Sequence, residues 1–139
     1  MPATTKAPQE MISLELPAVP EAVPAARHAV ADFARYHEAD VAGINMAVSE
    51  AVGNAVRHAF LRRDPGSIWV RAGRIDDAIV VVVEDDGSGV EPRIDSPGLG
   101  LGIPIIESVC ETLTIERREG GGARVVMRFA LVGAPSPAG

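Results

Sequence analysis

Two long stretches of this chain carry apolar residues at helical spacing, and four shorter ones alternate apolar with polar residues. The first helical stretch sets Val23, Ala26, Val30 and Phe33 on one stripe and predicts a helix from about Glu21 to Tyr36. The second sets Ile44, Val48, Ala51, Val52, Ala55, Val56 and Ala59 on one face of a helix that ends near Phe60, with Asp40 placed as its N-cap. Alternation predicts strands over Met11 to Leu16, closed by Pro17 and Pro20, and over Ser67 to Gly73. It does so again over Thr112 to Arg117 and Ala123 to Phe129, joined by the hairpin Glu119-Gly-Gly-Gly122. Ala78 to Glu84 is an apolar run, expected to form a strand buried on both faces or nearly so, and Ile75-Asp76-Asp77 before it suits a hairpin. A third helix is expected from about Ile103 to Cys110, with Pro104 tolerated in its first turn. The order β-α-α-β-β-α-β-β, joined largely by hairpins, implies a mostly antiparallel sheet with three helices on one face, a two-layer α/β sandwich.

Residues 1–10 and 132–139 show no periodicity and are expected to be mobile tails around one domain spanning residues 11–131. The full chain has 139 residues and a formal charge of −6, enough length to bury a core and no general attraction to nucleic acid or anionic membrane. Its longest apolar run, Ala78 to Val83, is far too short to span a bilayer, and the N-terminus has no apolar signal region. A single cysteine, Cys110, excludes an internal disulfide framework and a cysteine-clustered metal site. A cytoplasmic protein is the plain expectation.

Chemistry enters on the second helix. Glu50 and Asn54 lie one turn apart, nearly opposite its apolar stripe. An ordinary surface helix would carry several charges there. This one offers one carboxylate and one amide, flanked by Gly43, Met46 and Ala47, as if one side faced core and the other a site. Further along, Gly98-x-Gly100-x-Gly102 is not a dinucleotide fingerprint: position 103 is Ile, and the segment follows a loop. No P-loop motif exists either. Five glycines between positions 87 and 102, ending at a helix N-terminus, nevertheless suit an anion, because bare backbone N–H groups can approach phosphate oxygens. A plain surface loop is the alternative. In Asp85-Asp86-Gly87, either aspartate could serve as a turn former.

Three signals occur in order: Glu-x3-Asn on a helix, Asp-x-Gly-x-Gly after a buried strand, and Gly-x-Gly opening another helix. Together they resemble the N, G1 and G2 boxes of the GHKL ATPase superfamily, which includes gyrase, histidine kinases and mismatch-repair ATPases. The wording of residues 47–60, of Val82-Val-Glu-Asp-Asp-Gly-Ser-Gly-Val90 and of Gly98-Leu-Gly-Leu-Gly-Ile103 is similar to that of the bacterial anti-sigma-factor serine kinases, over about residues 14–131. The resemblance implies a Bergerat-type ATP-binding fold with a mostly antiparallel mixed sheet, and ATP and Mg²⁺ as cofactors. It implies Asn54 as the Mg²⁺ ligand and Glu50 as the general base. It makes Asp85 the acceptor for the exocyclic amine of adenine. Gly87 and Gly89 would allow close approach of the nucleotide, while Gly98, Leu99, Gly100, Leu101 and Gly102 would cradle its phosphates. Residues 90–97 would be a short ATP lid, with Arg93 as a phosphate contact. Arg27 aligns with an arginine that faces the partner protein in that family, a plain solvated arginine being the alternative; Arg57 and His58 match the family's wording without an assigned role. Gly53 departs from the family, which often has Thr there.

The implied function is that of an anti-sigma factor and protein serine kinase. It would phosphorylate a STAS-type anti-anti-sigma protein and bind a sigma factor, with a homodimer left open. Two other readings compete. One is a catalytically silent, nucleotide-gated binding switch. The other is a histidine-kinase-type catalytic domain acting in trans, for which the chain has no phosphoacceptor-bearing dimerisation helix.

Overall fold

A computed structural model describes residues 10–62, 66–87 and 102–131. Strand β1 (Glu10–Pro17) begins one residue inside the expected N-terminal tail; the rest of both expected tails lies outside the described residues. Two helices follow, α1 (Ala22–Tyr36) and α2 (Val41–Arg62). Then come β2 (Ser67–Ile75), β3 (Ala78–Asp85), α3 (Gly102–Val109), β4 (Thr112–Arg117) and β5 (Ala123–Ala130). The five strands form one sheet in the order β1-β2-β3-β5-β4, and every ladder among them is antiparallel.

The helix boundaries follow from local chemistry. Asp40 caps α2 as its sequence position suggests: its carboxylate accepts the Gly43 N–H at 3.2 Å, and its carbonyl accepts the Ile44 N–H at 3.0 Å. Helix α1 ends in a Schellman turn, with Glu38 in the left-handed region (φ 58°), its N–H bonded to the Arg35 carbonyl and the Ala39 N–H to the Ala34 carbonyl. Between β2 and β3 the turn is made by Asp76 at φ 56°, a conformation that Asp tolerates better than most residues.

Alternation gives the sheet two unlike faces. Ile68, Val70, Ile79, Val81, Val83, Met127 and Phe129 point to the helix layer and are buried. Against them α2 packs Ile44, Val48, Val52 and Ala55, and α1 packs Ala26, Val30 and Phe33 in the same core. The opposite face has no helix over it among the described residues. Val80 and Val82 on β3 are therefore half-buried there, a partial correction to the expectation of a strand buried on both faces or nearly so. The apolar run arises because β3 is the middle strand, screened by a neighbour on each side. Ala47 is a second correction. It is fully buried with the core, because α2 is flanked by α1 and α3 and needs a wider apolar stripe than one sheet contact would require.

Candidate functional site

Glu50, Gly53, Asn54 and Arg57 form one stripe along α2, spaced by three or four residues. Glu50 and Asn54 are half-buried on a helix whose other faces are closed by core. Among the described residues the Glu50 carboxylate has no hydrogen-bond or ion-pair partner. The Arg57 guanidinium donates to Asn54 Oδ1. A guanidinium can only donate, so this contact turns the amide oxygen, the hard donor atom, along the open stripe. Met46, one turn before Glu50, is 49% exposed and lies on the same side. Thus the expected pair does share a face, though Ala47 does not belong to it.

The second part lies at the end of β3. Asp85 Oδ1 accepts the Gly87 N–H at 2.9 Å, closing an Asx turn. That leaves Oδ2 as the atom able to receive a ligand's N–H. Asp86 is engaged elsewhere, since its Oδ1 accepts the Ser67 N–H at 2.8 Å and ties the loop to the start of β2. The two aspartates, alternatives at the level of sequence, are thereby separated, one pinning the loop and the other keeping an oxygen to offer. Gly87 is buried. Its neighbour across the sheet is the tip of the β4–β5 hairpin, where a Cβ on Gly122 would stand 1.8 Å from the Asp85 carbonyl oxygen and 2.9 Å from the Gly87 nitrogen.

Three arginines gather on the open sheet face around a residue that sequence reasoning passed over. Glu84 is 6% exposed, and its carboxylate pairs with Arg71, with Arg118 at 2.8 Å and with Arg124 at 3.5 Å. The Arg118 guanidinium also lies 4.5 Å from the centre of the Trp69 ring. A buried carboxylate needs such partners, since one left unpaired is costly. The signal was present in the alternation: Glu84, Arg71 and Arg124 have the outward parity of their strands.

Of the expected phosphate-binding residues, Gly102 opens α3, while Gly89, Gly98, Leu99, Gly100, Leu101 and Arg93 lie outside the described residues. Arg27 is half-buried on α1, and His58 half-buried on α2. Burial pushes the Cys110 thiol above its ordinary value, with Glu107 adding to this. Among the described residues there is no cluster of three or more metal-ligating side chains, and no helix long and apolar enough to cross a membrane.

Residues 16–129 match a known family, that of the histidine kinase-like ATPase domain. The chain belongs to that family. Its relatives among characterised proteins include the anti-sigma F factor of Clostridium novyi (strain NT), 30% identical over 103 residues that cover 66% of this chain and 72% of the relative. The anti-sigma F factor of Caldanaerobacter subterraneus subsp. tengcongensis is 32% identical over 116 residues, covering 73% and 80%. The serine-protein kinase RsbW of Bacillus velezensis is 29% identical over 129 residues, covering 80% and 81%. A histidine kinase-like ATPase domain uses ATP, and two of the residues present fit a nucleotide: Asp85, with a carboxylate oxygen beyond its Asx turn, and Asn54, with a hard amide oxygen.

Proposed function

We propose that this chain is an ATP- and Mg²⁺-dependent protein serine kinase that acts as an anti-sigma factor. The observation that carries the reading is the Glu50–Asn54 pair on α2. It sets a carboxylate, without a partner among the described residues, one turn from an amide oxygen on an otherwise covered helix. A protein that merely senses ATP has use for the amide but none for a base beside it.

In this reading Asp85 Oδ2 accepts a hydrogen bond from the adenine amine, a contact guanine cannot make. Asn54 Oδ1 would hold Mg²⁺, which would supply positive charge to neutralise the phosphates. Gly87 and Gly89 admit the nucleotide, and the Gly98–Gly102 segment meets its phosphates. The serine hydroxyl of the partner gives its proton to Glu50 as its oxygen bonds to the γ-phosphorus; the bond from that phosphorus to the ADP oxygen breaks, and ADP leaves. Because such transfers have loose transition states, Glu50 contributes mainly by orienting the hydroxyl and taking its proton late. The relatives' names, an anti-sigma F factor and a serine-protein kinase, support a sigma factor as one partner and a protein serine as the phosphate acceptor; in this reading the acceptor is a STAS-type anti-anti-sigma protein. Arg27 on α1 is the candidate contact for such a partner, and the setting is the cytoplasm, where transcription takes place.

The test is to co-purify the partner from the native cell and incubate it with γ-labelled ATP and Mg²⁺. Glu50→Ala should keep ATP binding and lose at least about a hundredfold in transfer, the usual scale for a general base. Label reaching the partner at the original rate would remove Glu50 from that role. If the wild-type chain transfers nothing while ATP alters its hold on the partner, the nucleotide-gated switch replaces the kinase.

A further inference from the structure

The β4–β5 hairpin touches the proposed adenine site from behind, and it does so with backbone. Gly120, Gly121 and Gly122 all have positive φ, of 89°, 114° and 93°. At Gly122 this conformation coincides with a close approach. A Cβ there would stand 1.8 Å from the Asp85 carbonyl oxygen, 2.7 Å from its carbonyl carbon and 2.9 Å from the Gly87 nitrogen. All three are main-chain atoms, so no rotamer change could make room. Gly122 is also buried, and the Gly87 N–H on which it presses is the donor that fixes Asp85 Oδ1.

The tip is held in place from the other side of the sheet. The Arg118 N–H donates to the Gly122 carbonyl at 2.9 Å, and the Gly121 N–H donates to the Arg118 carbonyl at 3.0 Å. The Arg118 side chain then reaches Glu84 at 2.8 Å and stacks on Trp69. Glu84 directly precedes Asp85, and on a strand consecutive side chains point to opposite faces. One residue of β3 therefore anchors the hairpin on the open face, and the next offers its carboxylate on the helix side.

We propose that the hairpin tip, through Gly122 and its anchor Arg118, is the positioning element that sets the Asp85 carboxylate and with it the preference for adenine over guanine nucleotides. Neither residue touches the base; both act through Asp85. The proposal rests on the reading of Asp85 as the adenine acceptor.

The experiment measures affinity for fluorescent ATP and GTP analogues, together with thermal unfolding, for the full chain and its variants. Gly122→Ala, where it folds, should weaken ATP binding at least about tenfold and narrow the ATP-over-GTP ratio, because a misplaced acceptor loses its discriminating hydrogen bond. Arg118→Ala adds no backbone strain and should shift both quantities the same way by a smaller factor, with Arg118→Lys restoring part of the ratio. A purely structural role for the hairpin would lower the unfolding temperature and leave the ratio at its wild-type value. That result in Arg118→Ala, or in a folded Gly122→Ala, overturns the proposal. Asp85→Asn separates the two levels. If it destroys the adenine preference while the hairpin variants keep theirs, only the positioning role falls. If it keeps wild-type affinity and preference, the Asp85 reading falls and takes the proposal with it.

Discussion

At Asn54 the chemistry of one side chain is set by its neighbour. Arg57 can accept nothing, so the amide atom turned to it must be oxygen. The guanidinium takes one lone pair of that oxygen and leaves the second to face a divalent ion. Asn54→Ala should therefore cost at least about tenfold in Mg²⁺-dependent ATP affinity, the low end of what disturbed metal ligation costs. Titration of an ATP analogue with and without Mg²⁺ measures this, and equal affinities for the two proteins in Mg²⁺ would remove Asn54 as ligand. The residue types and spacing of this pair were legible in the sequence because a helix converts a four-residue step into shared facing. Arg57's hold on Asn54 was not, since it depends on a rotamer. The family's motif spacing selects Asp85 over Asp86, but the bond that engages Asp86, donated by the Ser67 N–H nineteen positions away, was not legible.

For a whole element, the same substitution can have opposite signs a few turns apart. Among the described residues a Cβ at Gly53 would meet only Arg57 Nη1, at 3.7 Å, an ordinary contact. Gly53→Ala should raise stability by about 0.5–1 kcal/mol, the helix penalty of glycine. A Cβ at Gly43 would fall 2.6 Å from Asp40 Oδ2 and 3.5 Å from Val109. The capping carboxylate would have to swing away, so Gly43→Ala should lower stability by about 1 kcal/mol, the value of an N-cap. Thermal unfolding of the two variants checks both signs, and a stabilised Gly43→Ala would mean that the cap carries no weight. The caps, periods and hairpins of this chain were readable because each depends on residues within a few positions. The burial of Ala47 was not, because it follows from α1 and α3 lying on either side of α2. The ring of arginines on Glu84 likewise draws on β2, β5 and the β4–β5 turn.

Over the whole molecule, the unread quantity was strand order. Hairpins imply that β2 pairs with β3 and β4 with β5, but not that β5 inserts between β3 and β4. That insertion pairs Glu84 with Arg124 and brings the 120–122 tip to Asp85. The parts of the proposed site consequently come from the middle of the sheet, from α2, from the start of α3 and from the last hairpin. None of them is complete until the closing β3–β5 ladder has formed. A ligand that needs all of these parts should bind the folded chain in preference to a partly folded one, which couples binding to folding. ATP with Mg²⁺ at about a hundred times its dissociation constant should add about 2.7 kcal/mol to the unfolding free energy and raise the melting temperature by several degrees. An unchanged melting temperature at saturation would show that the nucleotide does not require the closed sheet. In a cell where nucleotide is plentiful, the β3–β5 ladder would then make ATP a lasting contributor to the protein's abundance, because the bound form is the one that escapes proteolysis.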